Sequence, residues 1–477
     1  MRNQFGLVLM GLFLTSAWAQ LPEQRSTLAD QTAVAITIYN NDLALVKDHR
    51  KIELMHGVSS LAFRDVSAKM RPETALLRSL AEVGSVSVLE QNFDFDLLTP
   101  QSLLNKYVGQ TVNVVRTHPQ SGLETSEKAT VLASSNGVVL KIGQRIETGI
   151  PGRLVFDEVP ANLRERPTLV MRLDNSGATQ QNVALSYLTA GLSWKADYVV
   201  ELNNNDDKLD ISGWVTLTNT SGATYRNAKL QLVAGDVNRV MPQLQRNSMV
   251  MLAAPAPSAR VASMAEESLF EYHLYTLNSP TTVAENQTKQ VALLSAAGVP
   301  ARKEFLLRGS DYYYQSSVGD LGQKIKIAVF IEFENHTNAH LGMPLPKGII
   351  RVYKNDTQGN VQFIGEDSVD HTPKNEKVRL KLGDAFDVTA DKRQTEFKKV
   401  THSGKFSSAF ESAYEVVLKN AKKEAVTVTV QEPMPGEWQV LSENLAHSKG
   451  SSNTAVWKVR VPPESSSILT YRVLVRY

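Results

Sequence analysis

KIKIAVFIEFE, residues 324–334, decides the fold. Ile325, Ile327, Val329, Ile331 and Phe333 fall on one side of an extended chain, and Lys324, Lys326, Glu332 and Glu334 on the other. Successive side chains of a strand point to opposite faces. The alternation therefore marks a half-buried antiparallel strand, and its period of two fits no helix. The pattern recurs in both directions along the chain. Val34, Ile36 and Ile38 share a face. Leu192, Trp194, Ala196 and Tyr198 oppose Ser193, Lys195 and Asp197. Leu469, Tyr471, Val473, Val475 and Tyr477 alternate with Thr470, Arg472, Leu474 and Arg476. Helical periodicity is scarce, and Pro100–Val108 is the best short candidate. The expected fold is all-β.

A theme recurs at 169–188, 214–232, 328–346 and 414–435: a strand ends near an Asn, a polar turn follows, and a second strand begins. The residues are Asn175, Asn219, Asn335 and Asn420. Asn tolerates left-handed backbone and bonds nearby amides, which suits a turn. Short strands with such spacing predict multiple β-sandwich modules of immunoglobulin-like type. Residues 103–150, with an Asn136-Gly137 hairpin turn, predict a small SH3-like barrel inserted near the N-terminus.

The first residues read as an export signal. Arg2 is followed by the apolar run Phe5–Thr15 and by Ala17-Trp18-Ala19, a cleavage site after Ala19. The run is about 11 residues, against the roughly 20 that a bilayer span needs, and no longer apolar stretch follows. The expected location is the periplasm, or else the extracellular space, with no transmembrane segment in the mature chain.

The segment 241–268 has no Phe, Tyr or Trp and is rich in Met, Ala, Ser and Pro, which predicts a disordered linker or long loop. The expected organisation is a signal peptide over 1–19 and an N-terminal β domain over 20–165. A sandwich follows over 166–240, then the linker over 241–268. A β-rich middle part covers 269–400, and a C-terminal immunoglobulin-like sandwich 401–477.

The 477 residues include no Cys, which excludes disulfides, thiolate catalysis and Cys-held metals. A net charge of +2 without a basic stripe argues against nucleic acid as a partner. No cofactor is implied, because nucleotide, flavin and zinc-protease motifs are absent. Charge is densest in 365–388. Asp370, His371 and Asp384 are the candidates there for acid–base chemistry on an envelope polymer. Glu366, Asp367 and Asp370 are the candidates for a Ca²⁺-type oxygen cluster. A polar turn feeding a strand explains the same charges without function. His336 and His340 lie four apart but in a turn, where the spacing loses its metal-binding meaning. Tyr312 and Tyr314 would share a strand face as a carbohydrate platform, against the alternative of core packing.

LSYLTAGLSWKADYVVELN (185–203), GWVTLTNTSGATYRNAKLQLVAGDV (213–237), LGMPLPKGIIRVYKND (341–356), the 365–388 segment and the tail from EPMPGEWQVL (432–441) to YRVLVRY (471–477) stand in a familiar order. Together, over roughly 165–477, they resemble the family catalogued as domain of unknown function 4139. The region from IYNNDLALVKDHRKIEL (38–54) to LRERPTL (163–169) looks like that of exported bacterial members. The resemblance implies a fold and carries over no catalytic residue. The expected function is non-catalytic binding or scaffolding in the bacterial cell envelope, with an envelope protein or polysaccharide as partner. The alternatives are a hydrolase working from 366–387 and a carbohydrate-binding module.

Overall fold

The computed structural model describes residues 23–40, 42–160, 163–235, 237–238, 264–400 and 406–477. The signal sequence 1–19 and residues 241–263 of the expected linker lie outside the described residues. Thirty strands, one α-helix and four single 3₁₀ turns make the described chain all-β. No helix among the described residues is long and apolar enough to cross a membrane. The inward stripes are where alternation put them: Ile36, Ile38, Leu192, Tyr198, Ile327, Ile331 and Val473 are each at most 1% exposed.

Four sheets carry these strands. A four-stranded sheet, ordered 23–26, 57–64, 168–175, 86–94, faces an eight-stranded sheet built on 31–39, 43–53, 180–189 and 225–234. Their shared core takes Phe63, Leu169 and Met171 from the first and Ile36, Val46 and Leu185 from the second. Arg50 stitches the two together. It is fully buried, donates to Asp48 Oδ2 (2.8 Å), Ser26 Oγ (3.3 Å) and the Arg64 carbonyl (2.8 Å), and stacks over Phe63 at 3.7 Å. Segments 20–165 and 166–240 therefore share sheets: strand Thr168–Asn175 pairs with both Gly57–Arg64 and Val86–Asp94. Residues 265–268 of the expected linker belong to a sheet, since Ala265–Leu269 pairs with Tyr272–Thr276, and Met264 before them is buried.

A thirteen-stranded sheet runs from the edge strand Val361–Val369 through Gly348–Asn355, Leu192–Leu202 and Lys208–Asn219 into three long strands. These are Gln287–Arg308, Asp320–Asn335 and Glu376–Lys399. Each serves two cores. Val299, Ile331, Phe333, Val378 and Leu380 belong to the core already described. Phe305, Leu307, Ile327, Val388 and Ala390 belong to a second core with Tyr414, Trp457, Tyr471 and Val473. The C-terminal sandwich is thus built on strands that it shares with its neighbour.

Residues 111–155 form an open five-stranded sheet with its own small core, covered by the helix Pro100–Lys106. The expected SH3-like barrel is corrected to this open sheet. Its edge strands Arg145–Thr148 and Arg153–Val155 are four and three residues long and do not meet.

The four Asn residues are buried turn clasps. Each Oδ1 accepts a turn amide: Gly177 N for Asn175, Ser221 N for Asn219, Gly342 N for Asn335 and Lys422 N for Asn420, all at 3.0 Å. Each Nδ2 donates to a carbonyl of its own turn and to one brought in from a distant segment. The distant acceptors are Leu54 for Asn175, Ala284 for Asn219, Pro373 for Asn335 and Pro462 for Asn420. At Asn175, Asn219 and Asn420 the chain leaves one ladder here and joins another. Truncating such a residue leaves buried backbone groups unsatisfied, at about 1–3 kcal/mol each. Asn219→Ala and Asn420→Ala should each lower unfolding stability by about 2–4 kcal/mol. The exposed Gln120→Ala should change it by less than about 0.5 kcal/mol. Denaturant midpoints for the three variants check this, and equal midpoints would remove the clasp role.

Candidate functional site

The charge-dense segment folds into two strands that nearly meet. Val361–Val369 pairs with Gly348–Asn355 on one side only. Glu376–Lys399 pairs with Asp320–Asn335, and its second neighbour, Ala409–Asn420, joins only from Val388 onward. Over 376–387 its other side is free of any ladder. The two free edges face each other across a seam. It is pinned where Asp367 Oδ2 accepts the Lys381 amide (2.8 Å) and where Gly365 passes so close to the Leu382 carbonyl that a Cβ would lie 2.5 Å from it. No strand ladder closes the seam.

Beyond that pin the seam is apolar and exposed. Val361, Phe363 and Ile364 on one strand and Phe386, 95% exposed, on the other face solvent. A cleft of about 240 Å³ opens at the same place, walled by Ile331, Ile364 and Leu382. Asp206, Lys303, Lys354 and Asp384 form its rim. Asp206 bonds both lysines, with Lys303 Nζ at 2.8 Å and Lys354 Nζ in close contact. Burial pushes its carboxyl up, but the two lysines outweigh that and hold it below the usual aspartate range.

The structure keeps Asp370 and His371 together beside Lys347 and places Asp384 elsewhere. Asp384 is on the cleft rim beside Lys381. Asp370 stands with its side chain 91% exposed near Lys347. His371 is used structurally: its Nδ1 accepts the Lys347 amide (3.2 Å) and its Nε2 lies 3.4 Å from Asn40 Nδ2. The predicted oxygen cluster is also dispersed. Glu366 pairs with Arg351 (3.1 Å), which also holds Asp197, and Asp367 is taken by backbone amides. No group of three potential ligands converges on a metal position among the described residues. His336 caps the turn Thr337–Ala339 through Nδ1, while His340 bonds the Ala297 carbonyl. A larger cleft of about 560 Å³ beside His336 is rimmed by Arg302 and Glu332, which pair with each other.

The tyrosine platform is corrected. Asp311–Tyr314 is a 3₁₀ turn, in which successive side chains rotate by about 120° and do not alternate. Tyr314 is fully buried, Tyr313 nearly so, and Tyr312 alone is exposed.

One buried group escaped sequence reading. Lys392 and Glu432, 3% and 0% exposed, meet inside the C-terminal sandwich with Nζ 2.5 Å from Oε1. Tyr314 O–H donates to Glu432 Oε2 (3.0 Å) and lies 3.2 Å from the Tyr471 hydroxyl. Burial pulls the Lys392 ammonium below the ordinary lysine value although Glu432 opposes it, and burial drives Tyr314 and Tyr471 well upward. A signal was available in the sequence. Lys392 continues the inward phase of Val388 and Ala390, and Glu432 that of Val426, Val428 and Val430.

Acid should weaken the Asp206 clasp. A depressed folded pKa stabilises above the unfolded value, about 3.9 for aspartate, and is lost as pH falls through the folded value. The stability gap between wild type and Asp206→Asn should be level above about pH 5 and shrink below about pH 4. Equal gaps at both ends of a pH series of melting curves would show that the lysines do not bind this carboxylate.

No curated protein matches the chain. The model of the domain of unknown function family DUF4139 matches residues 183–477, which takes in the seam, the long strands and the buried Lys392–Glu432 pair. The chain is a member of the DUF4139 family.

Proposed function

We propose that this protein is exported to the bacterial cell envelope and works there as a non-catalytic binding or scaffolding protein, taking an extended segment of a partner protein into the 361–387 seam. The observation that carries this reading is the pair of free strand edges with Val361, Phe363 and Phe386 exposed beside them. Unpaired backbone N–H and C=O groups are a template for another strand, and natural proteins ordinarily blunt such edges with charge, proline or cover. An added strand gains main-chain hydrogen bonds from the edge and side-chain pockets from the neighbouring apolar surface. The hydrolase reading lacks this support, because Asp370 is exposed, the His371 ring is engaged by the Lys347 amide, and Asp384 lines a different place, the cleft beside Lys381.

A photo-crosslinking residue placed at Phe363 in the full chain, in producing cells, should give a discrete adduct with an envelope protein. The same residue at the exposed Gln120 should give none. Identical monomer-only patterns at both positions would end the proposal. Export is tested separately: the N-terminal residue of the mature protein should be Gln20, and a full-length chain retained in the cytoplasm would overturn it.

A further inference from the structure

We propose that Lys392 and Glu432 condense into an internal amide bond that covalently ties strand Glu376–Lys399 to strand Val426–Pro433. These strands have no ladder in common. One pairs with 320–335 and 409–420, the other with 305–308 and 454–461. The bond would therefore directly join two strands that otherwise reach each other only through the ladders of Asp320–Asn335 and Gln287–Arg308.

Four observations support it. Nζ and Oε1 are 2.5 Å apart, in direct contact and closer than the usual 2.7–2.9 Å of an ammonium–carboxylate hydrogen bond. An ammonium has three donors, yet Glu432 is the single acceptor oxygen that Lys392 Nζ finds among the described residues. Its other surroundings are the rings of Tyr313 and Tyr414, with centroids at 4.4 and 5.5 Å. An amide nitrogen has one N–H and suits that site. The two charges of the pair are held out of water at a desolvation cost that condensation removes. Finally, Gly309 lies against the carboxylate, where a Cβ would sit 2.0 Å from Oε2, so the acid is held tightly in place.

The step balances without a co-reactant. A proton passes from Nζ to Oε1 within the pair, leaving a neutral amine and a carboxylic acid. Burial, which already lowers the lysine, favours that exchange. The Nζ lone pair then bonds to Cδ. Tyr314 O–H, already directed at Oε2, stabilises the negative charge that develops there. The C–Oε1 bond breaks, and the departing hydroxyl takes one amine proton and leaves as water. Oε2 remains as the amide oxygen, still bonded to Tyr314. Lys392 is the nucleophile and Tyr314 the oxyanion donor.

Intact mass spectrometry of the denatured full chain tests this, after its N-terminal residue is determined. The expected mass is one water below the sum of the residues. A peptide map should yield a branched peptide joining the fragments that contain residues 392 and 432, stable to boiling in detergent. Lys392→Arg should show the full mass and no branched peptide. A wild-type chain at full mass, or one short of a water with both peptides recovered unlinked, overturns the proposal. The wild-type map decides the matter even where the variant fails to fold.

Discussion

The three strands Gln287–Arg308, Asp320–Asn335 and Glu376–Lys399 are longer than either core requires. A strand of 22 or 24 residues reaches well past one sandwich. Gln287–Arg308 and Glu376–Lys399 therefore change neighbours along their length, while Asp320–Asn335 runs between the two and pairs with both. Register shifts in the ladder between Asp320–Asn335 and Glu376–Lys399, between Lys326 and Ala328 and between Val329 and Phe330, lie where the inward residues pass from the second core to the first. The inward face is kept on both sides of the break, as Ile327 and Ile331 both point into cores. Without these strands the C-terminal sandwich would lose part of one wall.

The seam follows from the same constraint. Ala409–Asn420 pairs with Glu376–Lys399 only where the latter lies in the second core, which leaves 376–387 single-sided. The edge strand Val361–Val369 bends round to meet it but makes one side-chain clasp there in place of a ladder. The seam is thus a by-product of strand sharing. The cleft lies at a register break in the ladder between Asp320–Asn335 and Glu376–Lys399, with Leu382 and Gly383 at the break.

Alternation made the strands legible, because one buried face imposes a period of two directly on the residues. The Asn turns were legible for a similar reason: a polar residue at the end of an apolar stripe must find partners, and all four do. What stayed hidden depends on contacts far apart in the chain. The charges of 366–387 draw the eye, yet Glu366 answers Arg351 and Asp367 answers a backbone amide, and the exposed Phe363 and Phe386 read from sequence like core residues. Tyr312 to Tyr314 misled because a 3₁₀ turn and a strand place neighbours differently while their residues look alike. Lys392 and Glu432 are forty residues apart in sequence and meet only through the fold.

The five-stranded unit of residues 111–155 enters and leaves its parent at one spot. Leu97 bridges Arg164, and the Leu98 amide bonds the Arg164 carbonyl, so the two tethers run side by side. Its core shares no residue with the others. To the parent sandwich the whole unit is a loop whose ends are already held together, and the entropy of closing such a loop grows only slowly with its length. Lineages can therefore enlarge, trade or discard this appendage while the frame beneath keeps its hydrogen bonds, and diversity can accumulate there at little thermodynamic risk to the rest of the chain.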